Sequence, residues 1–141
     1  NRILVNDIVN YQKFYKEYKV VTLSKEELIS QSDIVTLHVP LDDSTRNMLD
    51  RKRLRLMKHD AILVNAARGG LIDEYELKLM LKENKISGAA LDVFCNEPPE
   101  DFELLKLPNI IVTPHIGGSA YEAILDMGMS AINGLEINKV P

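Results

Sequence analysis

The chain has few of the residues that cross-link small secreted domains or carry nucleophilic and metal chemistry. Its 141 residues include one cysteine, three histidines and no tryptophan. The single cysteine, Cys95, has no partner for a disulfide within the chain, which is typical of proteins in a reducing compartment. We therefore expect a cytoplasmic protein with no metal site, and we interpret Cys95 as a loop thiol rather than a nucleophile.

Long apolar runs and an excess of positive charge are also absent. No stretch approaches the roughly 20 apolar residues that span a bilayer, and the formal net charge of −4 gives no attraction to nucleic acid or anionic lipid. Hydrophobic residues make up 45% of the chain, an ordinary share for a globular protein. The sequence predicts one domain with a hydrophobic core, without a nucleic-acid or membrane partner.

Apolar runs alternate with amphipathic segments along the chain. Predicted strands cover residues 2–6, 19–23, 33–39, 61–65, 88–94 and 109–113. Several are continuous in Val, Ile and Leu, as parallel strands buried on both faces are. The alternation predicts an α/β doubly wound parallel sheet of the Rossmann type.

Two of the predicted helices begin with the same N-terminal capping pattern. The segments SKEEL (24–28) and DEYELKLMLKEN (73–84) each open on an N-cap residue with Glu three positions later, the spacing of a capping box. The polar and aromatic segment 11–18 is predicted as a short helix or loop. The basic run within 51–58 is interpreted as the solvated face of an amphipathic helix, and His59 as a surface turn.

A last helix is predicted after Gly118, where apolar residues recur at helical spacing. The stripe is interpreted as core packing. It consists of Ala120, Ala123, Ile124, Met127, Ala131, Ile132 and Leu135.

Three short polar segments each follow an apolar run. NAARGG follows AILV, EPP follows ALDVF, and HIGG follows IIVTP. In a parallel sheet such segments meet beyond the carboxyl ends of the strands, where ligands bind. Arg68 offers a planar fork for a carboxylate, His115 exchanges protons near neutral pH, and Glu97 orients an imidazole and favours its charged form.

Each of these residues also has a plainer interpretation. Arg68 is alternatively a surface ion-pair partner, Glu97 a solvated acid, and His115 a turn residue bonded to backbone. The glycines after Arg68 favour a functional turn, because they permit close backbone approach or positive φ.

With these segments, the chain resembles the D-isomer-specific 2-hydroxyacid dehydrogenase family. The blocks that carry the resemblance are DIVTLHVPLDDSTRNML, AILVNAARGGLIDEYEL, GAALDVFCNEPP and NIIVTPHIGG, in the family's order and spacing. The resemblance implies hydride transfer between NAD and a small 2-hydroxy or 2-keto acid. It makes Arg68 the binder of the substrate carboxylate and carbonyl, His115 the acid/base, and Glu97 its hydrogen-bonding partner.

The resemblance also implies which residues lie beside the cofactor. Asp7 is similar to the acid that binds the adenosine ribose, and Asp92 to the residue that contacts the nicotinamide end. An acid at the Asp7 position favours NAD over NADP, because it repels a 2′-phosphate. The implied cofactor residues are Asp7, His38, Val39, Pro40, Ala66, Ala67, Arg68, Asp92, His115, Gly117 and Gly118.

One expected motif is missing. A Rossmann domain opens on a strand, a G-x-G-x-x-G turn and a helix, about 20 residues before the ribose-binding acid. The sequence contains no such pattern. We therefore expect residues 1–141 to be the distal part of an NAD-binding domain, truncated at its N-terminal βα unit and inactive alone. The family's substrate domain is expected to lie outside this chain too.

Other functions remain open at this point. A family of transcriptional corepressors resembles these dehydrogenases in fold and in the Arg, Glu and His positions, and uses nicotinamide cofactor as a sensor. A flavodoxin-like or receiver module is the plainer alternative, although it leaves Arg68, Glu97 and His115 unexplained. The resemblance further implies a homodimer that pairs through the cofactor domain.

Overall fold

The computed structural model describes residues 2–137 and contains six parallel strands in two sheets. The strands are β1 (Leu4–Val5), β2 (Val21–Thr22), β3 (Ile34–Leu37), β4 (Ile62–Asn65), β5 (Gly88–Leu91) and β6 (Ile110–Val112). One sheet pairs β1 with β2, and the other has the order β3-β4-β5-β6. All six predicted strands are present. Each is shorter than predicted, because the apolar runs extend beyond the residues that pair with a neighbouring strand.

Six helices alternate with these strands, which confirms the predicted α/β class. They are α1 (Gln12–Glu17), α2 (Lys25–Gln31), α3 (Arg51–Leu54), α4 (Glu74–Lys82), α5 (Phe102–Leu105) and α6 (Tyr121–Ile137). The segment predicted as helix or loop is the helix α1. The short helix α5 was not anticipated.

Only one of the two predicted capping boxes is complete. Before α2, the Ser24 side chain accepts from the backbone N–H of Glu27, whose carboxylate accepts from the Ser24 backbone N–H. Before α4, Asp73 caps the N–H of Glu76 at 3.0 Å, but the Glu76 carboxylate turns away. It accepts from Arg55 Nε at 2.9 Å instead. The prediction of the second capping box was therefore correct for Asp73 and wrong for Glu76, because Arg55 competes for the Glu76 side chain.

The basic run is not merely a solvated face. Glu76 is buried, with 4% of its side chain exposed, and pairs with both Arg51 and Arg55. Arg53 Nε donates to Glu26 at 2.9 Å. A buried carboxylate needs cationic partners to offset its lost hydration. The arginines of this run therefore connect α3 to α2 and α4.

The core packs the four-stranded sheet against its helices. Side chains that are fully buried come from a strand, the turns and three helices: Leu49, Leu54, Leu63, Leu71, Leu77 and Leu104. Within residues 2–137, no helix is long and apolar enough to cross a membrane.

The predicted core stripe of α6 is exposed instead. Ile124, Met127 and Ile132 are each more than half exposed. The side chain of Leu135 lies outside the described residues. This expectation was wrong because helical periodicity shows that one face is apolar, whereas the surface that covers the face depends on the surrounding structure.

A cavity of about 780 Å³, the inter-sheet cavity, lies between β1 and β3. Residues 2–7 line one wall, residues 31–39 line another, and Leu28 and Ile29 of α2 contribute apolar surface. Within residues 2–137, β1 pairs only with β2, and β3 only with β4. The facing edges of both strands therefore have free backbone donors and acceptors.

Candidate active site

The structure brings Glu97 and His115 together at the carboxyl edge of the four-stranded sheet. His115 Nδ1 lies 2.8 Å from Glu97 Oε2, and the other Glu97 oxygen accepts from the backbone N–H of Phe94 at 3.0 Å. The hydrogen bond from His115, followed by that from Phe94, holds the pKa of Glu97 below its ordinary value of 4.5. An ionised Glu97 requires the Nδ1 proton as donor, so Nε2 is the nitrogen that remains to exchange a proton with a ligand.

A buried carboxylate shapes the turn that carries His115. His115 follows β6 and has a φ of 55°, in the left-handed region. Asp92, which follows β5, accepts from the backbone N–H of Ile116 at 2.8 Å and of Gly117 at 2.7 Å. Its Oδ1 atom also accepts from the Thr113 hydroxyl. The Thr113 bond is the largest effect that holds the pKa of Asp92 below its ordinary value of 3.8, so the carboxylate stays ionised.

Arg68 lies in the turn after β4 but is not bonded to the Glu97–His115 pair. The Asn65 side chain closes this turn: its amide donates to the Arg68 carbonyl at 2.9 Å, and its oxygen accepts from the Ala67 N–H at 3.1 Å. The Arg68 guanidinium donates to the Ala67 carbonyl at 2.6 Å and is exposed. The Arg68 side chain therefore bonds to its own turn and not to Glu97 or His115.

Two glycines bring the Arg68 and His115 turns into contact with the strand-β5 turn. A Cβ on Gly69 would lie 1.8 Å from the Phe94 carbonyl oxygen. A Cβ on Gly117 would lie 2.9 Å from Asp92 Oδ2 and 4.0 Å from the Ala66 Cβ. The three segments that were predicted to converge are therefore neighbours, and their separation is set by backbone contacts at glycine.

The proposed cofactor residues fall into two groups. Asp7, His38 and Val39 line the inter-sheet cavity, and Pro40 follows them in the same turn. Asp7 Oδ1 accepts from the Val9 N–H at 2.8 Å, and His38 Nε2 lies 3.0 Å from the Thr36 hydroxyl. The second group surrounds the Glu97–His115 pair: Ala66, Ala67, Arg68, Asp92, Gly117 and Gly118.

These residues fit an extended dinucleotide. Asp7 offers its carboxylate as an acceptor for hydroxyl groups, since its Oδ2 atom accepts no hydrogen bond from residues 2–137, and Gly117 lies where any larger residue would meet Asp92. Both carboxylate oxygens of Asp92 are engaged by its own chain. The structure thus shows Asp92 holding the His115 turn, and a direct contact with nicotinamide stays a prediction.

Sequence reasoning missed Asn65 and Thr113. Each lies at or just after the end of a strand and uses a short polar side chain to hold the following turn. Their positions directly before the Arg68 and His115 segments were the available signal, since Asn and Thr commonly bond to local backbone or to turn residues.

Cys95 does not have the properties of an activated nucleophile. Burial of the thiol, followed by the hydrogen bond to Glu74, raises its pKa to about 11. Reactive cysteines need a lowered pKa, because the thiolate is the nucleophile. The structure agrees with the interpretation of Cys95 as a loop thiol.

The Glu97–His115 pair lies beyond the carboxyl ends of parallel strands, where α/β domains bind dinucleotides and other ligands. The sequence model of one family, described as D-isomer specific 2-hydroxyacid dehydrogenase, NAD binding domain, matches residues 2–117. The chain therefore belongs to the D-isomer-specific 2-hydroxyacid dehydrogenase family. The matched segment covers most of the elements described above.

Relatives with established names agree with this assignment. The chain is 57% identical over 97 residues to D-3-phosphoglycerate dehydrogenase of Methanocaldococcus jannaschii, an alignment that covers 69% of the chain and 18% of the relative. It is 45% identical over 114 residues to glycerate dehydrogenase of Methylorubrum extorquens, with 79% and 36% covered. The chain thus spans about a fifth to a third of the length of these curated relatives.

Solved structures share the fold along almost the whole chain. A D-isomer specific 2-hydroxyacid dehydrogenase from Lactobacillus delbrueckii, in its NAD complex, superposes with a TM-score of 0.83 at 32% identity. The match covers 99% of this chain and 48% of that one. A glyoxylate reductase from Paecilomyes thermophila gives a TM-score of 0.88 at 34% identity, covering 98% of this chain and 42% of the other.

Proposed function

We propose that this chain supplies the catalytic histidine and much of the NAD site of an enzyme that interconverts small D-2-hydroxy acids and 2-keto acids. The observation that carries the proposal is the 2.8 Å bond between His115 and Glu97 at the carboxyl edge of the family's NAD-binding domain. The names of the relatives, which include phosphoglycerate and glycerate dehydrogenases, support the substrate class.

Each site residue has its own role in the proposed reaction. When bound, NAD accepts the hydride from the substrate C2 and NADH returns it in the reverse direction. His115 Nε2 takes the hydroxyl proton during oxidation and returns it during reduction, while Glu97 stabilises the imidazolium. Arg68 binds the substrate carboxylate through its planar fork and polarises the carbonyl. Asn65 fixes the turn from which Arg68 extends.

The choice of NAD over NADP is supported by Asp7. Its Oδ2 atom accepts no hydrogen bond from residues 2–137, so it remains available to ribose hydroxyls. The three residues after it, Ile8, Val9 and Asn10, contribute no cation for a 2′-phosphate. An imino acid reductase of the same fold was solved with NADPH, which shows that the fold itself does not decide the choice.

The inter-sheet cavity supports the proposal that the chain is the distal part of its domain. Strands β1 and β3 line this cavity, and within residues 2–137 neither has a strand partner on the edge that faces it, so its walls suit a further parallel strand. In the doubly wound order, the strand that precedes a glycine-rich turn lies at this central position, between the strand of the ribose-binding acid and the next half of the sheet.

The chain alone should bind NAD weakly or undetectably and should form no NADH from any 2-hydroxy acid. Dinucleotide affinity depends on the backbone N–H groups of the glycine-rich turn and the helix that follows it, and the chain has no G-x-G-x-x-G pattern. Calorimetry with NAD and a spectrophotometric assay of the 141-residue chain measure both properties. Tight binding together with turnover would show that the chain is sufficient.

The substrate class is tested with the whole enzyme that is proposed to contain this chain, which we call the joined enzyme. Lactate, glycerate and 3-phosphoglycerate are supplied as separate D and L isomers with NAD, and NADH formation is followed. We expect oxidation of at least one D isomer and none of its L counterpart. No turnover with any acid, or equal rates with both isomers, would refute the proposed function.

In the same assay, Arg68→Lys keeps the charge and removes the bidentate fork. We expect it to lower kcat/KM for the acid by about 10- to 100-fold, since hydrogen bonds to charged groups contribute about 1.5–3 kcal/mol each. The KM for NAD should change less than the KM for the acid, because the guanidinium is proposed to bind the acid, whereas the cofactor would lie beside the Arg68 turn. Lys52→Arg, at an exposed position of α3, controls for exchange of the two basic residues.

The location and the assembly of the protein stay predictions. The single cysteine supports a cytoplasmic protein, and the family resemblance supports a homodimer formed through the cofactor domain. Light scattering of the joined enzyme would measure the second point, and the mass of a monomer would contradict it.

A further inference from the structure

We propose that Thr113 is a positioning residue, whose hydroxyl fixes the Asp92 carboxylate so that it holds the His115 turn in its reactive conformation. The inference rests on the proposed function for its effect on catalysis. Its structural part, the clamp formed by Thr113 and Asp92, is independent of that function.

The geometry of the clamp starts at Asp92. This side chain is buried and offers two oxygens to three donors. Oδ1 accepts from the Thr113 hydroxyl and the Ile116 N–H, and Oδ2 accepts from the Gly117 N–H. Both backbone donors come from the two residues directly after His115, so the carboxylate acts on the turn and not on the imidazole itself.

The turn needs such a clamp because its backbone is unfavourable. His115 has a φ of 55°, a region that non-glycine residues seldom occupy and that surrounding contacts must enforce. On one side of His115 stands Thr113, separated only by Pro114. On the other side stand Ile116 and Gly117. One carboxylate thus bonds to residues on both sides of His115 and fixes the chain across the unfavourable position.

Thr113 adds a donor on the other side of His115. The backbone N–H groups of Ile116 and Gly117 each hold one carboxylate oxygen, but both belong to residues that follow His115. The Thr113 hydroxyl donates to Oδ1 from the strand side of the turn, so three donors hold the Asp92 carboxylate. The position of the imidazole therefore depends on the Thr113 hydroxyl, which bonds to Asp92 and not to the Glu97–His115 pair.

The test compares Thr113→Val with Thr113→Ser in the joined enzyme. Valine has the shape of threonine without the hydroxyl, and serine restores the hydroxyl without the methyl group. Thr22→Val is the matched control, because Thr22 is an exposed strand residue of the other sheet. Hydrogen exchange measured by mass spectrometry on peptides covering residues 113–119 reports the N–H groups of Ile116 and Gly117 whether or not the enzyme turns over.

We expect Thr113→Val to exchange faster at Ile116 and Gly117 and to lower kcat by about 10- to 100-fold, because a displacement of about 1 Å in a catalytic group costs about that much. The KM for NAD should rise by a smaller factor than kcat falls, and Thr113→Ser should restore both protection and kcat. Unchanged exchange in Thr113→Val overturns the clamp. Faster exchange with unchanged kcat overturns the positioning role. Faster exchange in an enzyme whose wild type oxidises no 2-hydroxy acid supports the clamp and refutes the proposed function.

Discussion

Replacing His115 by Gln in the joined enzyme should lower kcat by about 10²- to 10⁴-fold, the contribution of a positioned general acid or base. Glutamine retains polarity but exchanges no proton near neutral pH, and the 2.8 Å bond that orients the imidazole on Glu97 is lost with the ring. Affinity for NAD should change little, since the proton is exchanged with the substrate. Single-turnover kinetics and a separate titration with NAD distinguish the two quantities.

The backbone of His115 requires a second variant. Its φ of 55° favours Asn over Gln, because Asn tolerates the left-handed region better. His115→Asn should therefore lose turnover to the same extent while it keeps the fold of the turn. His59→Gln, at an exposed turn before β4, serves as the control and should leave turnover unchanged. Turnover near the wild-type rate in His115→Asn would show that another group moves the proton.

A single methyl group at position 69 should disable the enzyme almost as effectively. A Cβ on Gly69 would lie 1.8 Å from the Phe94 carbonyl oxygen, whereas ordinary contacts begin at 3.4 Å. The neighbouring atom belongs to the backbone, so the Arg68 turn and the Phe94 segment must separate by more than 1 Å. Because the Phe94 N–H bonds to Glu97, that movement also displaces the Glu97–His115 pair.

We therefore expect Gly69→Ala to lower kcat/KM by about 100-fold or more and to cost about 1–3 kcal/mol of folding free energy, as overpacking does. Kinetics and chemical denaturation measure the two effects. Gly128→Ala is the matched control: it lies in α6 with no atom within 4 Å of its added Cβ, and alanine favours a helix. If Gly69→Ala and Gly128→Ala behave alike, the Gly69 contact does not set the geometry of the site.

Local patterns predicted the elements because their causes are local. The Ser24 box and the Asp73 cap follow from side chains that reach backbone N–H groups three residues away. The continuous apolar runs predicted six strands because parallel strands are buried on both faces. The same reasoning placed Glu97 and His115 at one edge, since both follow parallel strands of the same sheet.

The errors came from side chains whose partners are distant in sequence. Glu76 was predicted to return to its own helix terminus, but the Arg55 and Arg51 side chains compete for it across more than 20 residues. The α6 stripe was predicted as core because helical spacing shows that one face of the helix is apolar but does not show which surface packs against it.

By itself, the sequence determined the alternating α/β class, the family resemblance and the three turns that carry Arg68, Glu97 and His115 at one sheet edge, because each follows from strand order and local residue type. Only the tertiary structure decided how these residues are held. The contact of Gly69 with Phe94, the bonds of Asp92 across the His115 turn, and the cavity between β1 and β3 join segments far apart in the chain. Such distances are set by packing between elements, which local propensity does not encode.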